Sequence, residues 1–369
     1  MVYQTTKGEI EMIFFTADNH VGVNAQWGIK QRRDDFMQAF HSVCMHVGDS
    51  YTLDKKAALI IGGDLFDSTT PSATAVEFVQ SCIRRLPLGV QVYGIDGNHD
   101  LSNGKWLEVC GIKPLSDTPT KVNGVNVCGI SYTSADRVLS TIKSMAERDV
   151  KCDVLVLHLA LGELNRMGAA SDVTAEEMMP YLKDMGVKLV LIGHIHISQQ
   201  KVIDGITFAY CGSTEVCSST EPKEKSFLSF KEGDFTLKEV PIATRMIEDI
   251  MINSEADLAK FEATHKLPCV LYSVQVSSDI KDGVKRIRSI AQGEGLIMRV
   301  QTLPPEEKEV ESSIDRSTGV IGLEGAIERS FKQDSTEADL VRTILRSPAT
   351  MKQTVENYLK GENNDTKQA

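Results

Sequence analysis

What this 369-residue chain lacks narrows what it can be. No apolar run approaches the roughly 20 residues that a membrane-spanning helix needs, so no membrane role is expected. The opening stretch MVYQTTKGEIEMIFF has neither the basic start nor the long apolar middle of a secretory leader. The expected location is therefore the compartment of synthesis: cytoplasmic, or nuclear if the source is eukaryotic. There is no Cys-x-x-Cys pair. The eight cysteines, at 44, 82, 110, 128, 152, 211, 217 and 269, are scattered, several of them in strand-like runs. That pattern fits reduced core thiols better than a disulfide or zinc framework. Positive charge is also short: a net charge of -11 excludes a surface that is basic throughout, although a polyanion could still be held locally by metal ions and a basic patch.

What is present is ordinary for a soluble globular protein, 41% hydrophobic and 25% charged, with length for one large core and one or two smaller units. From about residue 10 to 240, β-rich runs alternate with helical patterns. EMIFFTADNH precedes the helical RRDDFMQAFHSVCMHV, AALIIGGDLFD precedes TAVEFVQSCIRRL, and GVQVYGIDGNHD supplies a third strand. Hairpin material at 121–130, a helix at 134–147, the strand DVLVLH, a helix at 175–185 and the strand LVLIG follow. The alternation predicts a sheet flanked by helices, with strands at 200–210 and 226–240 completing a second sheet as hairpins. After Pro241 the texture changes to LYSVQVS, DIKDGVKRIRSIAQGEG and LIMRVQTL, a strand, a helix and a strand. The expected divisions are a main domain at 1–242, a small unit at 243–303, a charged linker at 304–334, two helices within 335–360 split by Pro348, and a disordered tail at 361–369.

Each apolar strand of the main domain ends in metal-ligand chemistry: Asp18-Asn19-His20, Gly63-Asp64-Leu65-Phe66-Asp67, Gly97-Asn98-His99-Asp100, His158, and Gly193-His194-Ile195-His196. Five of the eight histidines fall at these points, so a single His-x-His stops being ambiguous. Ligands in layered α/β proteins gather at the carboxyl ends of strands, and these segments could converge there. Two divalent ions ~3.5–4 Å apart need a bridging carboxylate and further nitrogen and oxygen ligands. Mixed imidazole, carboxylate and amide donors suit Mn, Fe or Zn better than Ca or Mg, and a set without cysteine argues against a closed structural zinc site.

In order, DNH, GGDLFD, GNHD, the isolated His158 and GHIH resemble the calcineurin-like metallophosphoesterases. The resemblance implies an α/β fold, a two-sheet sandwich flanked by helices, here with a small α+β cap and a C-terminal helical element. It implies two divalent metal ions, foremost Mn, with Fe, Zn or Mg as alternatives. Asp18, His20, Asp64 and His196 would hold one, and Asp64, Asn98, His158 and His194 the other, with Asp64 as the bridge. His99 would then protonate the leaving oxygen or stabilise the transition state, a role suited to imidazole near neutral pH. Asp67 could orient a ligand histidine or simply close its loop. His41 and His46 are expected to pack or to be solvated.

The second and third motifs lack the Arg-Gly continuation and the GNHE of serine/threonine protein phosphatases. They are more similar to the SbcD family of DNA-break-processing nucleases, whose archaeal and eukaryotic relatives are the Mre-eleven proteins. RRDDFMQAF, DLFDSTTPS and YCGSTEVCSSTEPKEKSFLSF carry that likeness, with Cys211 where proline is usual. It implies a DNA exonuclease and endonuclease working 3′ to 5′ as a homodimer with an SbcC-type coiled-coil ATPase. Residues 243–303 would cap DNA, and the helices at 335–360 would dock the ATPase. Dimer contacts would come from Phe36, Phe40, Val43, Val76, Phe78 and Val79, residues that could equally be core. Lys281, Lys285 and Arg288 at i, i+4, i+7 would share one helix face and either meet DNA phosphates or be solvated. Trp27 and Trp106 could line the groove or pack beneath it. The competing expectations are a standalone metallophosphodiesterase for a small nucleotide or lipid-linked substrate, and a non-catalytic scaffold that recruits the ATPase.

Overall fold

The computed structural model describes residues 10–24, 26–52, 55–164 and 173–303. The expected linker, C-terminal helices and tail at 304–369 lie outside the described residues. The first run of elements is β1 (Ile10–Thr16), α1 (Gln31–Ser50), β2 (Lys55–Gly62), α2 (Ala73–Arg84), β3 (Gln91–Ile95), α3 (Lys105–Val109) and β4 (Lys113–Pro114). The second is β5 (Thr120–Val122), β6 (Val125–Ile130), α4 (Ala135–Glu147), β7 (Val154–His158), α5 (Ala175–Met185) and β8 (Leu189–Gly193). Two hairpins follow, β9 (Gln199–Ile203) with β10 (Ile206–Tyr210), and β11 (Lys225–Lys231) with β12 (Asp234–Ile242).

These strands make two six-stranded sheets, ordered β12-β11-β1-β2-β3-β4 and β5-β6-β7-β8-β10-β9. The central strands carry long apolar runs, residues 57–61 in β2, 154–157 in β7 and 189–192 in β8, because both of their faces are covered. Leu59 and Ile61 of β2 turn to α1 and α2, where they meet Phe40, Val43 and Val79. Ala58 and Ile60 turn the other way, to Val127, Val156 and Leu191 of the facing sheet. Leu155 and Leu157 of β7 complete the pattern against Ile142 of α4 and Met178 of α5. The result is helices, sheet, sheet, helices in layers, as expected for this class.

The hairpins differ from the expectation that both complete the second sheet. β9 and β10 do, but β11 pairs antiparallel with β1, Phe14 opposite Ser229, and brings β12 into the first sheet. Phe227 needs cover on one side and Leu228 and Phe230 on the other. Beside β1, Phe227 packs 5.9 Å from the Phe14 ring under α1, while Leu228 and Phe230 enter the core between the sheets.

A third, parallel sheet joins β13 (Ile247–Ile252), β14 (Leu271–Ser277) and β15 (Ile297–Leu303), with α6 (Glu255–Ala263) and α7 (Gly283–Glu294). The sequence pattern anticipates β14, α7 and β15, but not β13 and α6. This layer has its own core, built from Ile252, Leu258, Phe261, Val274, Val276 and Ile287. It meets the rest through Ile247 and Leu271 against Ile29 and Val216. Arg32 of α1, fully buried, lies beside that contact. It donates to Asp35 at 2.8 Å, Glu215 at 3.1 Å and the Val216 carbonyl at 2.7 Å, and Arg245 closes on Asp35 from the third-sheet side.

Candidate metal centre

Within each main sheet the motif-bearing strands run parallel, so their carboxyl ends emerge together. Asp18, Asp64 and Asn98 lie two or three residues beyond β1, β2 and β3; His158 ends β7; His194 and His196 follow β8. Four of these positions require unusual backbone. Asp18 (φ 52), His20 (φ 46), Asp64 (φ 50) and His194 (φ 95) occupy the left-handed region, at a cost on the order of 1–3 kcal/mol each. Neighbouring bonds hold them there: Asp18 N–H donates to the Gly63 carbonyl at 3.0 Å, His20 N–H to that of Asp64 at 3.0 Å, and His194 N–H to the Asp18 carboxylate at 2.9 Å. A side chain at Gly97 would collide with the Asp64 carboxylate, and one at Gly193 with the Gly62 carbonyl and the His158 ring. Glycine is therefore what allows the three loops to close on one point.

The seven expected ligand residues come together in two groups around Asp64. On one side His20 and His196 bring their Nε2 atoms to 3.2 Å from each other, with Asp18 Oδ1 3.9 Å from His196 Nε2. On the other, Asn98 Oδ1 lies 3.1 Å from His158 Nε2 and 3.0 Å from His194 Nδ1. Asp64 Oδ2 sits between them, 4.0 Å from His20 Nε2 and 3.4 Å from His158 Nε2. The imidazoles are oriented from behind, as metal-binding histidines are. His158 Nδ1 donates to the Gly62 carbonyl at 2.8 Å, and His196 Nδ1 to Glu221 at 3.2 Å. In the neutral form that binds a metal, each proton on Nδ1 leaves a lone pair on Nε2. That of His158 faces the oxygens of Asn98 and Asp64, and that of His196 faces His20, a convergence of lone pairs that a proton or a metal cation stabilises.

The electrostatics agree. Burial disfavours a charged His158, yet the hydrogen bond and charge of Asp64, with Asp18, raise it to about 9. Burial likewise acts against a charged His196, but Cys217, Glu221 and Asp18 raise it to about 11. Asp64 is pushed up by burial and pulled further down by His158 and His20, ending well below the usual carboxylate range. A centre that favours positive charge this strongly suits divalent ions, and Asp18, His20 and Asp64 offer ligand atoms within 4.8 Å of one another.

His99 lies beside the group, its ring 4.9 Å from that of His20. Its N–H donates to Asp64 Oδ1 at 2.8 Å and its Nδ1 to the Asp67 carbonyl at 2.9 Å. The Asp67 carboxylate approaches His20 Nδ1 at 3.4 Å, a contact in keeping with an orienting role. Trp106 packs beneath the loops, donating to the Thr69 carbonyl at 3.0 Å. Trp27 stands between the guanidinium groups of Arg32 and Arg299. Phe36, Phe40, Val43 and Val79 are wholly committed to the core, leaving Val76 and Phe78 half-buried. His46 rests edge-on against Phe14 and Phe227. Lys281 does not share a face with Lys285 and Arg288, because α7 begins only at Gly283, after Asp282 in the left-handed region. The other two remain on α7, lining a cavity of about 500 Å³ with Ser277, Ser278 and Thr302.

Three residues of the centre were given no role by the sequence pattern. Asp100 accepts from the N–H groups of Leu65 (2.9 Å), Phe66 (2.8 Å) and Gly97 (3.2 Å), latching the second motif to the third, while burial pushes its carboxyl up to about 6. Glu221 is pushed up by burial but held at about 2 by His196 and Lys225. Cys217 enters the group formed by His20 and His196. Glu221 and Cys217 belong to the loop between β10 and β11, which carries no strand-end motif.

The profile of the calcineurin-like phosphoesterases matches residues 12–198, about half of the chain. Over 263 residues the chain is 27% identical to the DNA double-strand break repair protein Mre11 of Haloferax volcanii, covering 69% of this chain and 56% of that protein. Over 320 residues it is 22% identical to a subunit of the SbcCD nuclease of Staphylococcus saprophyticus, covering 75% and 82% respectively. It thus spans little more than half the length of the Haloferax relative. Among solved structures it is similar to the phosphopantetheinyl hydrolase of Mycobacterium tuberculosis at 14% identity and a TM-score of 0.38, covering 56% of this chain and 91% of that one. Because the matched span runs from β1 through His196 and so takes in every strand end of the centre, the chain belongs to the calcineurin-like phosphoesterase family.

Proposed function

We propose that this protein is a metal-dependent DNA nuclease, with 3′-to-5′ exonuclease and endonuclease activities, and the phosphodiesterase component of an SbcCD-type complex that processes DNA ends. The observation that carries the reading is the pair of nitrogen and oxygen groups on either side of Asp64, in a chain whose relatives include a break-repair protein and a nuclease component. Asp18, His20, Asp64 and His196 would hold one divalent ion, and Asp64, Asn98, His158 and His194 the other. Bound there, two ions, foremost Mn, neutralise phosphate oxygens and lower the pKa of an attacking water.

The chain's own groups do the rest. Asp64 holds both halves of the centre in one geometry. His99, fixed by Asp67 and by the Asp64 carboxylate, keeps Nε2 for the proton that the departing oxygen needs. Asp67 steadies His20. Residues 243–303 would cap DNA, and Lys285 and Arg288 of α7 offer two cations to phosphates. The homodimer and the ATPase belong to this proposal, with docking assigned to residues 335–360.

Incubating the full chain with Mn and end-labelled duplex DNA should release nucleotides, and Asp64→Asn should lower that rate by orders of magnitude. If wild-type protein cleaves a small phosphodiester but leaves DNA ends intact, with and without an SbcC-type ATPase, the nuclease reading is wrong.

A further inference from the structure

The loop between β10 and β11 brings a thiol to the metal centre. Cys217, His20 and His196 each offer a ligand atom within 4.8 Å of the other two. The two imidazole Nε2 atoms are 3.2 Å apart. Nitrogens bound ~2.0–2.1 Å from one ion, at angles of roughly 90–110°, stand roughly 2.9–3.4 Å apart, so the spacing suits a shared ion. The loop is held in place at this point. Cys217 N–H donates to Glu221 Oε2 at 3.0 Å, and the other oxygen of that carboxylate orients His196. Lys225 Nζ, 2.7 Å from Oε2 and 2.9 Å from Ser213 Oγ, anchors the carboxylate in turn. The Cys217 thiol makes a long 3.4 Å contact with the Glu215 carbonyl, one that a metal bond readily displaces. The other group differs: Asn98, His158 and His194 have no sulfur among them.

We propose that Cys217 is a further ligand of the ion held by Asp18, His20, Asp64 and His196. This position then becomes a mixed nitrogen, oxygen and sulfur site that prefers thiophilic ions such as Zn to Mn, because soft thiolate donors select soft ions. The other position keeps nitrogen and oxygen donors alone, and the centre becomes chemically two-sided. On binding, the sulfur–hydrogen bond gives way to a sulfur–metal bond and the proton leaves to solvent, with no change of oxidation state. The inference rests on the reading of this centre as a metal site.

Cobalt tests it without reference to turnover, since Co²⁺ produces a near-ultraviolet thiolate-to-metal absorption only when sulfur is bound. Full-length metal-free protein titrated with Co²⁺ should develop this band. Cys217→Ser and Cys217→Ala should lose it, while Cys269→Ser, which removes the exposed thiol, should keep it. Zn affinity should fall roughly tenfold or more in Cys217→Ser, with Mn affinity little changed. Cadmium-113 resonance of the unaltered protein gives the same reading without a substitution, through the large downfield shift of sulfur-bound cadmium. Cobalt or cadmium bound with nitrogen and oxygen signatures alone would overturn the role of Cys217 and leave the metal-dependent hydrolase standing. Failure to bind any divalent ion would overturn both.

Discussion

His99 illustrates how little separates a ligand from a proton donor. It shares a group with His20 and Asp67 whose ligand atoms all lie within 4.8 Å of one another, yet its Nδ1 is already committed to the Asp67 carbonyl. If Nε2 serves the leaving oxygen, His99→Ala should retain the metal content of wild type and lose roughly 10²–10⁴-fold in rate. Elemental analysis of the purified variant, alongside its turnover, decides the matter. Loss of an ion would make His99 a ligand instead. The residues of the centre that could be read from the sequence share one trait: each ends an apolar strand or follows one within four positions. Glu221 and Cys217 lack it. They reach the histidines because β11 returns to pair with β1, a pairing that local sequence does not encode.

At the scale of elements, α1 does more than cover a sheet. Arg32 is fully buried and all of its bonding is internal, to Gln26, Asp35, Glu215 and the Val216 carbonyl, with Trp27 and Phe36 against its flat faces. Removing one partner of a buried ion pair strands the other in low dielectric, which costs ~3–5 kcal/mol. Arg32→Met should therefore lower the unfolding free energy by an amount of that order, seen as a lower denaturant midpoint, and adding Glu215→Gln should recover part of the loss. Additive losses in urea titrations of the single and double variants would show that the two residues are not coupled. The helices of the main layers were legible because their apolar stripes are strong; α5 runs over the span expected from its pattern, with Thr174 and Glu177 forming the cap. β13 was not, because only Ile247 and Ile252 at its two ends are buried and the alternation between them is lost. Lys281 was misplaced because nothing in KDGV announces that Asp282 turns left-handed before the helix starts.

For the whole molecule, bound ions should act as a stabilising ligand. An ion that binds the folded chain alone contributes about 2.7 kcal/mol at a hundred times its dissociation constant. Chelation with EDTA should lower the melting temperature by several degrees, and the drop should shrink in Asp64→Asn, where the shared ligand is weakened. Identical melting curves with and without chelator would show that folding and metal binding are not linked.

The return of β11 to β1 also has a consequence for how the protein is made. Phe14 emerges from the ribosome about 215 residues before Ser229, its neighbour on one side, so an open strand edge and the underside of α1 wait for most of the described chain to be synthesised. Unpaired edges of this kind recruit other strands, and long-range pairing is slow. The nascent chain thus passes through a vulnerable interval that ends only when the β11–β12 hairpin is released. Translation paused before residue 225 should accumulate a protease-sensitive, chaperone-bound species, and a pause far enough beyond residue 242 for the hairpin to have left the ribosome should not.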